Sequence, residues 1–281
     1  MFTIASKRVL NEQTTQMEIE APLIAEKALP GQFIIFRIDE KGERVPLTIA
    51  DTNVEKGTAT IIFQAVGKST ACLAAMNEGD ALLDFVGPLG TPTHLDGFKR
   101  VAVLGGGLGT AIAYPQAKYL HTHGCEVHSI VGFRNKELII LEDEVRAVSD
   151  QVFVMTDDGS NGNQGFVTAA LEEQIKKGVE YDMVIAIGPL PMMRAVCNLT
   201  KPYAIKTIIS MNSIMIDGTG MCGGCRLIVD GKVKFACVDG PDFDGHLVDF
   251  DAAMKRNAMY RNFEAKSLEN HKCRLEGMNN A

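Results

Sequence analysis

RVAVLGGGLGTAIAYPQAKYLHTHG, from Arg100 to Gly124, decides the fold. An apolar run ends in three glycines and passes at once into a stretch with helical character. Backbone amides at such a turn, backed by a helix N-terminus, hold a pyrophosphate, which makes Gly106, Gly107, Leu108, Gly109 and Thr110 candidate dinucleotide contacts. A glycine cluster alone is weak evidence, because tight strand-to-helix turns need glycine without any ligand.

The pattern of the next hundred residues strengthens it. Strand-like CEVHSIVGF (125–133), QVFVMTDDG (151–159), DMVIAIGP (182–189) and AIKTIISM (204–211) alternate with helical ELIILEDEVRAV (137–148), FVTAALEEQIKKG (166–178) and PMMRAVCNLT (191–200). This alternation predicts a doubly wound parallel sheet over 98–209. Ligands of such sheets bind at the carboxyl ends of the strands, so Gly132, Arg134, Asp158, Gly159, Gly188 and Pro189 join the candidates. Arg134 beside a ribose phosphate favours NADP, whereas an arginine in solvent says nothing, and NAD versus NADP stays open. Glu142, Asp143 and Glu144 read as the polar side of a helix.

Upstream, over 1–97, the rhythm is different. FIIFRI (33–38), VPLTIA (45–50), TATIIFQAV (58–66) and ALLDFV (81–86) are short β-rich runs separated by PGQ, DEKGE, EKG, NEGD and GPLGTP, which predicts a small antiparallel barrel. Downstream, 210–260 is glycine-rich and holds Cys222, Cys225 and Cys237, three of the seven cysteines. Too small for a large apolar core, this module gains most from a metal centre. Residues 261–281 read as a polar helix and tail.

Cys222 and Cys225 form a close pair, and Cys237 comes later in a loop made pliable by Gly218, Gly220, Gly223 and Gly224. The plant-type [2Fe–2S] pattern places a further cysteine five positions before the close pair, and Asp217 stands there. A carboxylate is a competent, harder iron ligand. Zinc held by the three cysteines with Asp217 or His246 is the alternative, and unliganded thiols are another. Cys72, Cys125 and Cys197 sit in apolar contexts and read as core, and Cys273 carries no signal.

The bulk numbers set bounds. The chain has 281 residues, 46% hydrophobic and 22% charged, which suits two or three globular units. A formal net charge of -7 leaves no basic footprint for nucleic acid. No apolar stretch approaches a membrane span, and the N-terminus does not read as a signal peptide. With an odd cysteine count this gives a cytoplasmic location as the expectation.

With barrel, nucleotide domain and cysteine module in this order, the chain resembles the ferredoxin–NADP reductase superfamily. Within it, the chain is similar to the electron-transfer subunits of two-component dihydroorotate dehydrogenases. It is more similar to the small (alpha) subunits of NADH-dependent reduced ferredoxin:NADP oxidoreductases, the sulfide dehydrogenase beta subunit type. The motifs that carry this are Pro46-Leu47-Thr48, Val66-Gly67-Lys68-Ser69-Thr70, Gly87-Pro88-Leu89-Gly90, and Asp217 with Cys222, Cys225 and Cys237. All four cluster positions are cysteine in the dihydroorotate family, and aspartate at the first goes with the ferredoxin:NADP small subunits.

The resemblance implies an FAD-binding barrel. Pro46, Leu47 and Thr48 would run beside the isoalloxazine with the Thr48 hydroxyl at flavin N5, while Ile62, Phe63, Gln64, Gly67, Ser69 and Thr70 would hold the ribityl chain and pyrophosphate. One position departs from the pattern: where the superfamily has arginine this chain has Val45, with Arg44 displaced by one. The resemblance further implies NAD(H) as the nucleotide, with NADP(H) as the open alternative, and a larger subunit carrying a second flavin and iron–sulfur clusters. Through that partner ferredoxin is reached indirectly, within an electron-bifurcating complex. A dihydroorotate electron-transfer subunit, or a non-catalytic zinc- or nucleotide-binding regulator, would read differently in partner and colour.

Overall fold

The computed structural model describes residues 1–279, with side chains to Asn270; the side chain of Cys273 lies outside them. The first unit contains β1 (Phe2–Val9), β2 (Thr14–Glu20), α1 (Pro22–Lys27), β3 (Phe33–Arg37), β4 (Val45–Asn53), β5 (Thr58–Gln64), α2 (Lys68–Ala75), β6 (Ala81–Leu82) and β7 (Asp84–Leu89). Its sheet runs in the order β6-β1-β2-β5-β4-β3-β7 with every pairing antiparallel. Because β6 and β7 are separated by Leu83 alone, the two sheet edges are drawn together and the sheet nearly closes into a barrel.

Strand β3 explains its own sequence. Phe33, Ile34, Ile35 and Phe36 are all buried, but alternate side chains go to different cores. Ile34 and Phe36 join Met17, Ile19, Ile61 and Phe85 inside the barrel, while Phe33 and Ile35 join the core shared by the other two units. A strand covered on both faces reads as a continuous apolar run. Each such side chain taken out of water contributes about 1.5–3 kcal/mol.

The second unit contains β8 (Arg100–Gly106), α3 (Gly109–Thr122), β9 (Glu126–Phe133), α4 (Glu142–Ala147), β10 (Gln151–Thr156), α5 (Val167–Lys176), β11 (Met183–Ile187), α6 (Leu190–Thr200) and β12 (Lys206–Ser210). Strands β8 to β12 are parallel neighbours in the order β10-β9-β8-β11-β12. Helices cover both faces: α3 packs with Val101, Val103 and Ile185, and α5 and α6 pack with Leu104, Val184 and Ala186. The segment 137–148 is not one helix. Only a single 3-10 turn and α4 form, because Ile140 and Leu141 are pulled into a core beside Val131 and Phe133, with Leu141 in the left-handed region at φ 55°.

The third unit holds the hairpin of β13 (Arg226–Val229) and β14 (Lys232–Phe235), α7 (Ala236–Asp239), β15 (Asp242–Asp244), α8 (Phe250–Asn257) and α9 (Arg261–Asn279). It is stitched to the second: β15 pairs antiparallel with β12, opposing Asp242 to Ser210, and forms the edge of the parallel sheet. No helix among the described residues is long and apolar enough to cross a membrane.

Candidate functional site

Strand order reverses between β8 and β11, and ligand crevices open at such switch points. Here the turns after the two strands touch. A Cβ on Gly188 would stand 3.1 Å from Gly106 Cα, and one on Gly109 would come 2.2 Å from Ile187 O. Glycine is needed at these positions for close approach of backbones. Gly107 is needed for conformation instead, with φ 56°.

A cleft of ≈ 970 Å³ opens there against the barrel. From the barrel come Val45, Pro46, Leu47, Thr48, Ile62, Phe63, Gln64 and Thr70, and from the parallel sheet Gly106, Gly107, Leu108, Gly109, Gly132, Arg134, Gly188 and Pro189. The two sets arise far apart in sequence. They meet because Ala50 and Ile62 of the barrel share a core with Ala111, Val131 and Phe133, and because Lys118 Nζ reaches Asp51 at 2.7 Å.

Other sequence candidates lie outside the lining. Thr110 is 1% exposed and packs beneath Gly105. Gly67 precedes α2, where its N–H donates to Thr70 Oγ1 at 3.1 Å, and Ser69 Oγ donates to Glu43 Oε2 at 2.6 Å. The Ser160 hydroxyl, and then its N–H at 2.9 Å, hydrogen-bond Asp158 and hold its carboxyl below the usual range, and Gly159 completes that turn while Asp157 faces the cleft. Conversely, Phe33, Phe166, Thr168, Met192, Ser210 and Met211 line the cleft without having drawn attention in the sequence. Phe33 and Ser210 lie in recognised strands, but only the tertiary arrangement turns them inward.

Arg44 does not line the cleft. Its Nε donates to Ile216 O at 2.8 Å, so the displaced arginine serves the cysteine loop.

That loop leaves the cleft directly: Met215 is a lining residue and Asp217 stands two positions later. Cys225 and Cys237 are each 1% exposed and share a core with Phe33 and Ile35, while Cys222 is exposed. Gly218, with φ 80°, lies so close to the barrel that a Cβ would meet Ile35 Cδ1 at 2.7 Å. Backbone amides address the sulfurs: Gly224 N–H donates to Cys222 Sγ and Cys237 N–H to Cys225 Sγ, both at 3.4 Å. Burial, then the adjacent Cys225, push the Cys237 thiol up to about 12.

Asp217 accepts from Thr219 N–H and Cys222 N–H, each at 2.9 Å, and these bonds keep its carboxyl below the usual range. It therefore shapes the turn, and its charge is felt at Cys237. Among the described residues no three His, Cys, Asp or Glu side chains close into a ligand set. The donor chemistry fits a thiolate-bound cluster all the same: two buried thiols abut in a glycine-rich loop whose amides already point at sulfur. His246 is engaged elsewhere, its Nε2 3.0 Å from Thr200 Oγ1. Burial pushes Cys125 up to about 11 and Cys197 up to about 12, as expected of structural thiols.

Residues 212–249 match the iron–sulfur cluster binding domain of dihydroorotate dehydrogenase B. A Clostridium beijerinckii protein described as an uncharacterized protein in the adh 3' region is 51% identical over 275 residues, covering 95% of this chain and 93% of that protein. The dihydroorotate dehydrogenase B (NAD(+)) electron transfer subunit homolog of Thermotoga maritima is 42% identical over 266 residues, 95% of this chain and 94% of its own. Among solved structures, one of the NADH-dependent reduced ferredoxin-NADP oxidoreductase, described for flavin-based electron bifurcation, superposes with TM-score 0.91 at 41% identity. It covers 96% of this chain and 97% of that one. On this identity and coverage, the chain belongs to the family of dihydroorotate dehydrogenase B electron-transfer subunits and their homologues.

Proposed function

We propose that the chain is the electron-transfer flavoprotein subunit of an NADH-dependent ferredoxin:NADP oxidoreductase complex, carrying FAD and a [2Fe–2S] cluster and using NAD(H). The observation that carries this is contiguity. Phe33 lines the cleft and Ile35 touches the cysteine loop, so one face of β3 joins the flavin site to the cluster site.

Bound here, nicotinamide and FAD would supply hydride exchange, and FAD with a [2Fe–2S] cluster would supply one-electron exchange. The chain's residues bind, orient and exclude water. Pro46, Leu47 and Thr48, which line the cleft, would form the wall for the isoalloxazine, and the Thr48 hydroxyl would be the hydrogen-bonding group for N5. Thr70 and Gln64 serve the ribityl and phosphate end. The Gly106–Gly109 turn at the start of α3 presents amides to the nucleotide pyrophosphate, with Gly188 and Pro189 opposite. Arg134, exposed at the cleft mouth, is open to a ribose phosphate. Asp217, Cys222, Cys225 and Cys237 supply the cluster ligands. A larger flavin and iron–sulfur subunit exchanges electrons with it and connects them to ferredoxin and NADP(H), in the cytoplasm.

A second reading, service to a dihydroorotate-oxidising subunit, is favoured by the cluster-domain match. Against it stands aspartate at 217, where that family's pattern has cysteine. Co-purification from the native cell separates the two: a partner with flavin and several iron–sulfur clusters supports the first, and a pyrimidine-synthesis dehydrogenase overturns it. Flavin extraction with iron and acid-labile sulfide assays tests the cofactors; stoichiometric zinc without sulfide would sink the cluster.

A further inference from the structure

Two arginines from different units hold the cysteine loop. Arg44, immediately before β4, donates Nε to Ile216 O at 2.8 Å, and its Nη1 lies 3.8 Å from Asp84, which also pairs with Arg37 at 2.7 Å. Arg256, on α8, donates Nη2 to Gly224 O at 3.1 Å and to Gly223 O at 3.5 Å. Arg256 lies beyond the 212–249 segment that matches a cluster domain.

A carbonyl and the N–H of the next residue belong to one rigid plane. The Gly223 carbonyl held by Arg256 therefore shares its plane with the Gly224 N–H, which donates to Cys222 Sγ at 3.4 Å. The Ile216 carbonyl held by Arg44 shares its plane with the amide of Asp217. A glycine pair has no side chains to restrain its planes, and the arginine donor adds to the one turn bond there, from Arg226 N–H to Gly223 O at 3.4 Å. A cationic donor on the carbonyl also polarises the N–H at the other end of the unit. Arginine keeps its charge at any working pH.

We infer that Arg256 is a positioning residue for the cluster, acting on Cys222 through the Gly223–Gly224 peptide, and that Arg44 anchors the Asp217 end in the same way. Hydrogen bonds to sulfur and local positive charge both favour the reduced cluster, so the pair raises its reduction potential. Arg44 also ties that tuning to the barrel, since it arises beside the wall assigned to the flavin.

This rests on the reading of the loop as a [2Fe–2S] site, and the two fail differently. Absence of iron and sulfide from the wild-type protein defeats the site reading, whatever the arginines do. With cluster present, Arg256→Gln is titrated electrochemically and monitored by electron paramagnetic resonance. The expected result is a more negative potential, by about a tenfold change in the one-electron equilibrium, about 59 mV. Arg256→Lys, which keeps charge but loses the fork, falls between, and Arg44→Gln shifts in the same direction. A potential equal to wild type in Arg256→Gln overturns the inference. Should that variant fail to retain its cluster, alkylation of Cys222 in cluster-free protein, read by peptide mass spectrometry, decides: a rate that departs from that of cluster-free wild type supports the inference and an unchanged rate overturns it.

Discussion

The cleft and the cysteine loop lie on one face of β3, yet they are built on different terms. The cleft is walled by the ends of β4, β8 and β11, whose strands are locked by cores on both sides. The loop has short strands, many glycines, an exposed Cys222, and ligand candidates that do not close into a set among the described residues. A dinucleotide crevice is a by-product of strands and helices that pack without it, whereas a cluster loop needs its cluster, and external clamps, to be completed.

The largest effect that would sharpen this contrast is expected at Asp217. Asp217→Ala removes the proposed iron ligand and also the acceptor for Cys222 N–H and Thr219 N–H. Iron and sulfide retention should fall at least as far as the roughly 10–100-fold loss in metal affinity seen when a ligand's support is removed. Asp217→Cys should keep a cluster with altered resonance g-values. Full iron with an unaltered spectrum in the alanine variant would leave Asp217 a turn former only.

The cleft should instead break through backbone packing. Gly109→Ala drives a methyl group against Ile187 O and Ile187 C, at 2.2 and 2.7 Å, and neither can rotate away. A loss of about 1–3 kcal/mol in denaturant melts is expected, of the order found for overpacking. Gly107→Ala meets nothing within 4 Å and carries only the cost of its positive φ, about 1 kcal/mol. Equal losses would show that close approach is not what Gly109 provides.

This difference also governs what the sequence disclosed. The barrel runs and the glycine turn were legible because strand periodicity and a strand-end glycine cluster are local signals. Asp217, Cys222, Cys225 and Cys237 were legible through spacing. Strand β15 was not: Asp242, Phe243 and Asp244 are three residues with two acids, and only pairing with β12 makes them a strand. Arg44 reads in the sequence only as the superfamily's arginine displaced by one, because its partner, Ile216, lies 172 positions away in the chain. Thr110 fitted the glycine motif, but the helix turns it into the sheet.

Smaller effects are expected at single polar groups. Thr48→Ala removes one neutral hydrogen bond at the flavin wall, worth about 0.5–1.5 kcal/mol, up to roughly a tenfold slower hydride transfer in stopped flow. An unchanged rate would remove Thr48 from the mechanism.

The subtlest effect is at the seam between the units. Asp242 accepts from Gln116 Nε2 at 2.8 Å and from the Thr93 hydroxyl. Burial raises its pKa, against hydrogen bonds from Ser210, Thr93 and Gln116 that lower it. A carboxyl whose folded pKa lies above its unfolded one contributes stability at acid pH, and that contribution is lost as pH rises through the folded value. Asp242→Asn cannot ionise, so its melting temperature should gain on wild type as pH rises through that interval. A gap constant with pH would contradict the raised value.

The central claim is that one face of β3 connects a flavin reduced by nicotinamide to a cluster in the cysteine loop. Anaerobic titration of the purified chain with NADH, read by absorbance and low-temperature electron paramagnetic resonance, tests it most directly. The account predicts flavin bleaching together with the signal of a reduced [2Fe–2S] cluster. Bleaching with no such signal in protein shown to contain iron and sulfide, or no flavin at all, would contradict it.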